Sequence, residues 1–507
     1  MSSATSYSRL GYLALKKETT AGTAVYPNVF LELLSEDLQV KWDHTPSQTI
    51  AGNRSANLRP IKNRIEPIEG TIELLVEPNQ FGHLLTGAFG EATDSTLNSG
   101  ASYQYDFQAQ TTLKTYTMDI KVAGENYVMR YFGVRIASME FTIEENKWRV
   151  SLGVMAQRAF TNARVITAAS SGTALAVDQT SGLTTSDTIA VLDADDPSTT
   201  LATLTVSSVG GEKALTVSTI GASLAVDDIV VIVPQTPTYD LSNELIWSGG
   251  AQVALGTGAN AIQGLGTYLN LEDFTLTITN DLEARWTAQG NDVIDRFPAA
   301  ILVKGVKVEG KLTQYHQDPE FLDMLRQMEQ VGLRVEFLGG TLDSNSAAAA
   351  TATIETDGSD QLAVAVDSAG EAGNDYAVIV QTGTSASPSA TISGKLITVS
   401  LGTTGSNNTT TAVASAIDAL SGVSCPTTGT DIVTTTDNPS KIYFAGGRDA
   451  NEIEKLRFDL PNIRLKPFSP NLGNDDVVQE EIDFEAYRDA NDGREILVRL
   501  RNGIADY

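Results

Sequence analysis

The sequence predicts a mainly β protein. Two β-sandwich or barrel-type domains each carry a short flanking α-helix, and two smaller domains are inserted, one β-rich and one α+β and immunoglobulin-like. Three observations predict this. One stretch occurs twice in order. Glycine is abundant (42 residues) while aromatics make up 7% of the chain, the composition of short strands joined by turns. Finally, 507 residues are too many for one hydrophobic core.

The repeat is read as follows. In the first copy Gly52-Asn53 precedes Pro60 and a strand-like run, Ile65 to Val76, that carries Glu69-Gly70. Glu77-Pro78-Asn79 follows, then Phe81, Leu84, Leu85 and Ala88 at i, i+3, i+4, i+7, the one-sided stripe of a helix on a sheet. In the second copy Gly290-Asn291 precedes Pro298 and Ile301 to Tyr315, carrying Glu309-Gly310. Asp318-Pro319 follows, with Phe321, Met324, Leu325 and Met328 at the same spacing. Proline suits the first turn of both helices, where its missing N–H costs nothing. Upstream, Ser35-Glu36-Asp37-Leu38 answers Leu271-Glu272-Asp273-Phe274; downstream, Gly133 to Ala156 answers Pro461 to Tyr487. A duplicated module speaks of assembly before chemistry.

Along the chain, residues 1–160 form the first copy. Leu10 to Leu15 alternate poorly and lead into a turn-rich segment, Glu18 to Thr23. Val29 to Leu34 is a short strand, and Trp42 to Ile50 a polar loop or hairpin. Tyr103 to Phe107, Met139 to Ile143 and Trp148 to Val154 alternate as half-buried antiparallel strands. Residues 161–240 change to a Ser/Thr/Val/Asp texture with its own small repeat. There Ala174–Val177 leading to Asp187–Val191 is matched by Ala214–Val217 leading to Asp227–Val231, which predicts a small β domain of two similar halves. The second copy occupies 241–342 and 451–507. Between its parts, 343–450 is a second insertion, with strands at Leu362–Val366, Tyr376–Val380 and Leu396–Leu401 and a helix at Thr411–Leu420 stopped by Gly422.

The net charge of −28 argues against a surface that grips nucleic acid or an anionic membrane. A single cysteine, Cys425, excludes an intrachain disulfide and a thiolate metal cluster. The polar start, Met1 to Arg9, lacks a signal core, and the longest apolar run, Ile229 to Val233, is too short for a membrane span. Synthesis and folding in a cytoplasm are the expectation.

No constellation carries catalysis. His44, His83 and His316 share no zinc-site spacing, and there is no G-x-S-x-G elbow. Asp193-Ala194-Asp195-Asp196 lacks the central glycine and distal glutamate of a calcium loop and reads as an acidic turn. Asp475-Asp476 with Glu480-Glu481 reads as a solvated cluster, and Gly256-Thr257-Gly258 lacks the context of a nucleotide loop. No catalytic residue, cofactor or metal site is therefore expected. The basic residues Arg54, Arg59, Lys62 and Arg64 stand out in so acidic a chain and form the candidate contact to a neighbouring subunit or ring. Their second-copy counterpart, Asp292 to Arg296, is not basic.

These residues resemble a known family. Gly11-Tyr12 to Glu18–Thr23, then Ser35–Leu38, the Glu69-Gly70 strand with its helix, and Leu460–Ile463 to Ile482–Tyr487 are similar to the tail tube (major tail) proteins of long-tailed bacteriophages. The second insertion resembles a module common in phage tail proteins, through Ala369–Asn374, Thr409–Thr411 and Gly446-Gly447-Arg448-Asp449. The resemblance implies a virion structural protein that polymerises as stacked rings around a channel for DNA during genome ejection. Two fused tube domains imply three chains per pseudo-sixfold ring. Implied partners are other copies of the chain, a tape measure protein in the lumen, and tail terminator and tail-tip or distal tail proteins, with DNA passing unbound. The location implied is the virion tail, after synthesis in a bacterial cytoplasm. Two other classes stand beside this one: a surface or carbohydrate-binding adhesin, and another tail component such as a sheath or distal tail subunit. An enzyme is the weakest class.

Overall fold

A computed structural model describes residues 11–40, 65–98, 102–121, 128–160, 163–241, 245, 249–258, 261–265, 267–287, 297–315, 323, 330–344, 347–449, 451–467 and 479–507. The fold is mainly β. The first half runs β1 (Tyr12–Lys17), β2 (Val29–Leu31), β3 (Leu33–Glu36), β4 (Ile68–Leu75), helix α1 (Pro78–Phe89), β5 (Thr93–Asn98), β6 (Ser102–Phe107) and β7 (Tyr116–Lys121). It ends in the long hairpin β8 (Met129–Glu144) and β9 (Lys147–Phe160). The two linking residues, Glu145 and Asn146, both have positive φ, as the tight turn favoured by twisted strands requires. Helix α1 starts with Pro78 at its first turn and buries Phe81, Leu84, Leu85 and Ala88, the stripe read from the sequence.

Residues 164–232 form β10 (Arg164–Val165), β11 (Ser170–Ala176), β12 (Thr188–Leu192), β13 (Thr200–Gly210), β14 (Ala214–Leu224) and β15 (Ile229–Ile232). These make a separate sheet in the order β10-β15-β12-β13-β14-β11. The small repeat seen in the sequence places β11 against β14 and β12 against β15.

The second half runs β16 (Ala251–Thr257), β17 (Thr267–Tyr268), β18 (Leu271–Arg285), β19 (Ala300–Tyr315) and β20 (Val331–Ser344). It is interrupted by β21 (Thr351–Ile354), β22 (Leu362–Val366), β23 (Ala377–Thr382), β24 (Ser389–Ser393), β25 (Leu396–Leu401), helix α2 (Thr410–Asp418), β26 (Val423–Ser424) and β27 (Ile442–Tyr443). It resumes with β28 (Asn451–Leu465), β29 (Gln479–Ala486) and β30 (Leu497–Asn502). The Thr409 side chain caps α2 by accepting from Ala412 N, and Val413, Ala414 and Ile417 pack into the core of the interrupting sheets.

The two halves repeat the same sequence of pairings. In the first, the strands follow β3-β4-β9-β8-β7-β1-β2. In the second they follow β18-β19-β29-β28-β20-β16-β17. Registers agree as well as order. Gly70 faces Val154 and Gly310 faces Phe484; Val134 faces Ala156 and Ile463 faces Ala486. Even the irregularity is repeated, between Tyr116 and Met118 on β7 and between Val331 and Leu333 on β20. The recurrent glycine has a steric reason. A Cβ at Gly70 would press on Asp37 and Leu38, and one at Gly310 on Thr275 and Phe484.

The halves are joined as one sheet where Ser138–Phe141 of β8 pair with Leu276–Thr279 of β18. They share a core there, with the Trp148 ring 4.2 Å from Phe337 and 5.9 Å from Phe274, and Phe141 5.1 Å from Phe458. Buried amides lock the joint. Asn280 Nδ2 donates to Ala88 O and Ile136 O, and Gln157 Nε2 to Pro298 O and Ala299 O. A second join pairs β30 with β6.

The poorly alternating Leu10 to Leu15 segment overlaps β1, whose burial explains the lost alternation. Leu13 and Leu15 face the core of the halves, while Tyr12 and Ala14 join the core of the 164–232 sheet. A strand covered on both faces has no polar side to show.

Candidate functional surfaces

The chain offers a polar sheet face and two buried ionic anchors. The sheet face runs over β3, β4, β9, β8, β18, β19, β29 and the end of β28. Its inner side is apolar, with Ile72, Leu152, Met139, Leu276, Val308 and Phe484 all buried. Its outer side follows from strand alternation. Register lines up Ser35, Glu73, Ser151, Glu140, Thr277, Glu309, Glu485 and Arg464 in one row across the strands of both halves. In the second half the carboxylates have lysine partners. Glu309 Oε1 lies 2.9 Å from both Lys307 Nζ and Lys466 Nζ, and Glu481 Oε2 2.6 Å from Lys311 Nζ. Hydrogen bonds from Lys466 and Lys307 lower the pKa of Glu309. In the first half Glu73 accepts from the Ser35 hydroxyl at 2.8 Å, and Glu69, Glu73 and Glu140 are exposed.

The ionic anchors lie where each inserted segment meets its half. Arg130 on β8 donates from Nε and Nη2 to Asp119 on β7 at 2.6 and 2.7 Å. It also donates from Nη1 and Nη2 to Asp187 of the 164–232 sheet at 2.7 and 3.0 Å, and from Nη1 to Gly182 O. All three charged side chains are buried. In the second half Arg334 on β20 donates from Nε to Asp459 on β28 at 2.6 Å and from Nη1 to Asp375 of the interrupting segment at 2.8 Å. Arg457 Nη2 bridges the same two carboxylates at 2.6 Å. Nearby, Glu371 accepts from Lys455 Nζ and Arg501 Nη1. Burial alone would raise the Glu371 pKa, but Arg501 and Lys455 outweigh it and bring it down to about 2. The same contest, won by Arg457 and Arg334, holds Asp375 well below the usual carboxylate range.

Arg54, Arg59, Lys62 and Arg64 lie outside the described residues, as do Asp292 to Arg296, His44, His316, Asp475-Asp476 and the stripe Phe321, Met324, Leu325 and Met328. His83 sits on α1 with its ring 4.8 Å from that of Tyr507. Burial, helped by Lys17, lowers its pKa to about 4, so it packs as a neutral ring. Asp193 to Asp196 form a hydrogen-bonded turn, with Asp193 Oδ1 accepting from Asp195 N and Asp196 from Ser198 and Thr199. Glu480 is buried and accepts from Gln314 Nε2, whereas Glu481 is exposed. Gly256-Thr257-Gly258 ends β16. Among the described residues no group of three His, Cys, Asp or Glu side chains could hold a metal ion, and no helix is long and apolar enough to cross a membrane. The sequence reading missed the ionic anchors. Their partners are scattered along the chain and meet only through the ladders.

No curated protein matches the chain. Residues 8–238, the first half together with the 164–232 sheet, match the family model described as phage tail tube protein. Over residues 8–238 the chain is similar to phage tail tube proteins, and that similarity supports a structural role in the virion tail.

Proposed function

We propose that the chain is a tail tube subunit with two fused tube modules, residues 1–160 and residues 241–342 with 451–507. Three chains then supply six modules to a pseudo-sixfold ring, and rings stack into the tube. The observation that carries this reading is the register-for-register recurrence of the strand network, irregularity included, in a half that the family match does not reach. Heterologous contacts between rings do not close on themselves and so grow a filament. The polar row across both halves faces the channel in this reading, where its carboxylates keep the DNA backbone from sticking.

Residues 161–240 and 343–450 are decoration domains on the outside of the tube. Tyr12 and Phe30 support this for the first, since it covers the face of β1 turned away from the shared core. Arg54, Arg59, Lys62 and Arg64 contact the acidic surface of a neighbouring subunit or ring. A tape measure protein fills the lumen before ejection, and terminator and tip proteins close the ends. The protein does no catalysis, and assembly follows synthesis in the bacterial cytoplasm.

Electron microscopy of the purified chain at high concentration tests the reading. The expected result is hollow tubes whose end-on averages are threefold, with two kinds of outer density per chain. Six identical chains per ring would keep the tube and discard the fused-module account. Compact particles, even with tail-tip complexes as seeds, would overturn the tube itself.

A further inference from the structure

Where the two halves and the 343–450 insertion meet, they enclose a cavity of about 320 Å³, within the range of small-ligand pockets. Five arginines line it against four aspartates. Three of the aspartates are fully used. Both carboxylate oxygens of Asp106 accept from Arg499, at 2.8 and 2.9 Å. Asp375 and Asp459 each spread both oxygens over Arg334 and Arg457. The fourth, Asp94, is exposed and makes no ion pair among the described residues.

Donors are left over. Arg499 is 7% exposed, and its Nη1 has no hydrogen-bond partner. Arg448 donates from Nη1 to Leu97 O at 2.6 Å, while its buried Nε is unpartnered. Arg494 lies 4.4 Å over the Tyr443 ring and makes no ion pair among the described residues. Its own loop keeps it uncompensated by turning the nearby acids inward. Asp489 Oδ1 accepts from Asn491 N and Asp492 N at 2.8 Å, Gly493 takes the positive φ of the turn, and Asp492 is buried against Lys441. Buried N–H groups without acceptors are costly, more so on a charged group. In a chain of net charge −28, this junction is a place that lacks anionic oxygen.

We infer that the junction is a binding site for a small phosphate-bearing anion, held by Arg494, Arg499 and Arg448. Guanidinium N–H groups fit phosphate oxygens in direct, charge-assisted pairs. The three arginines come from β30, from the loop before it and from the stretch after β27, so they call for oxygens on several sides. A tetrahedral phosphate offers these, and a planar carboxylate does not. The bound anion would fasten the insertion to both halves at once. The site needs neither ring nor tube, so its failure leaves the tail tube reading untouched.

Titration calorimetry of the soluble full-length chain with inorganic phosphate, at fixed ionic strength, tests the site. The expected result is saturable binding of one phosphate per chain, with the unfolding temperature rising as the site fills. Arg494→Gln should weaken binding at least about tenfold, as loss of a hydrogen bond to a charged group does. Asp94→Asn removes a like charge near the ligand and should tighten it roughly threefold. Both changes lie outside the apolar core, and the variants' unfolding temperatures without phosphate should match the wild type. Arg488→Gln, an exposed arginine of the same loop that does not line this cavity, should bind as the wild type does. Acetate should bind at least about tenfold more weakly than phosphate. Phosphate binding weaker than about 10 mM would overturn the inference. Equal losses in Arg488→Gln and Arg494→Gln would overturn it too, because diffuse charge would then explain the binding. Acetate binding as tightly as phosphate would overturn the assignment to phosphate.

Discussion

Arg334 and Asp459 face each other across β20 and β28 at the same ladder step where Asp119 and Arg130 face each other across β7 and β8, with the charges exchanged. Each arginine also reaches a carboxylate of the inserted segment next to it, Asp375 or Asp187. The position has one job in both halves, to fasten an insertion, and two chemistries for doing it. A buried ion pair is weak support for stability by itself, but removing one member strands the other in a dry site. Arg130→Met, which leaves Asp119 and Asp187 buried together, is expected to cost about 3–5 kcal/mol in urea unfolding. A cost under about 1 kcal/mol would mean that water reaches the pair in solution.

Acid should loosen the molecule in two steps. A histidine whose folded pKa is depressed stabilises the fold above its unfolded value and loses that contribution as pH falls. For His83 the window runs from about 6.5 in the unfolded chain to about 4 in the folded one. Glu371 is depressed too, so its contribution is present above an unfolded value of about 4.3 and disappears as pH falls toward about 2. Thermal unfolding followed against pH should show both declines. His83→Gln should flatten the first only, and Glu371→Gln the second only.

The sequence exposed those parts of the fold whose signal is local. Helix α1 was legible because Phe81, Leu84, Leu85 and Ala88 lie on one helical face, and β9 because Trp148 to Val154 alternates against solvent. β1 was hidden because both its faces are buried. The sequence match of Ser35–Leu38 to Leu271–Phe274 stands two residues from the structural register, which pairs Gln39 with Glu69 and Thr277 with Glu309. A slip of two keeps every side chain on its own face, so the pattern reads the same. The ionic anchors left no trace, since exchanging Asp119–Arg130 for Arg334–Asp459 removes the identity while keeping the contact.

Gly82 lies under the Tyr507 ring, and a Cβ there would run into it. That ring also stacks edge-on with His83 and Tyr105, and its hydroxyl takes a hydrogen bond from Asn502 Nδ2. Gly82→Ala should therefore displace Tyr507 and cost about 1–3 kcal/mol by overpacking. Gly221, on β14, has open space around the corresponding position. Gly221→Ala should be neutral or slightly stabilising, by up to about 1 kcal/mol. Calorimetry of the two variants checks the contrast, and equal losses would refute the packing argument.

The polar row gives the test of the channel reading. Glu73 and Glu140 stand in the half where the face is exposed and acidic, without the lysines that offset Glu309. Neither side chain enters the core, so Glu73→Lys with Glu140→Lys should leave folding and tube growth intact. The wall would gain four units of positive charge per chain, repeated in every ring. Phosphate contacts made by such a wall release counterions, so binding should be strong at low salt and fall steeply as salt rises. Co-sedimentation of short linear duplexes with open tubes measures this. Wild-type tubes should leave the duplex in the supernatant, and the lysine variant should pellet it at about 50 mM salt and release it well before about 500 mM. Variant tubes that ignore DNA at low salt would place this face away from the channel, and the lining would then have to come from another surface of the two modules.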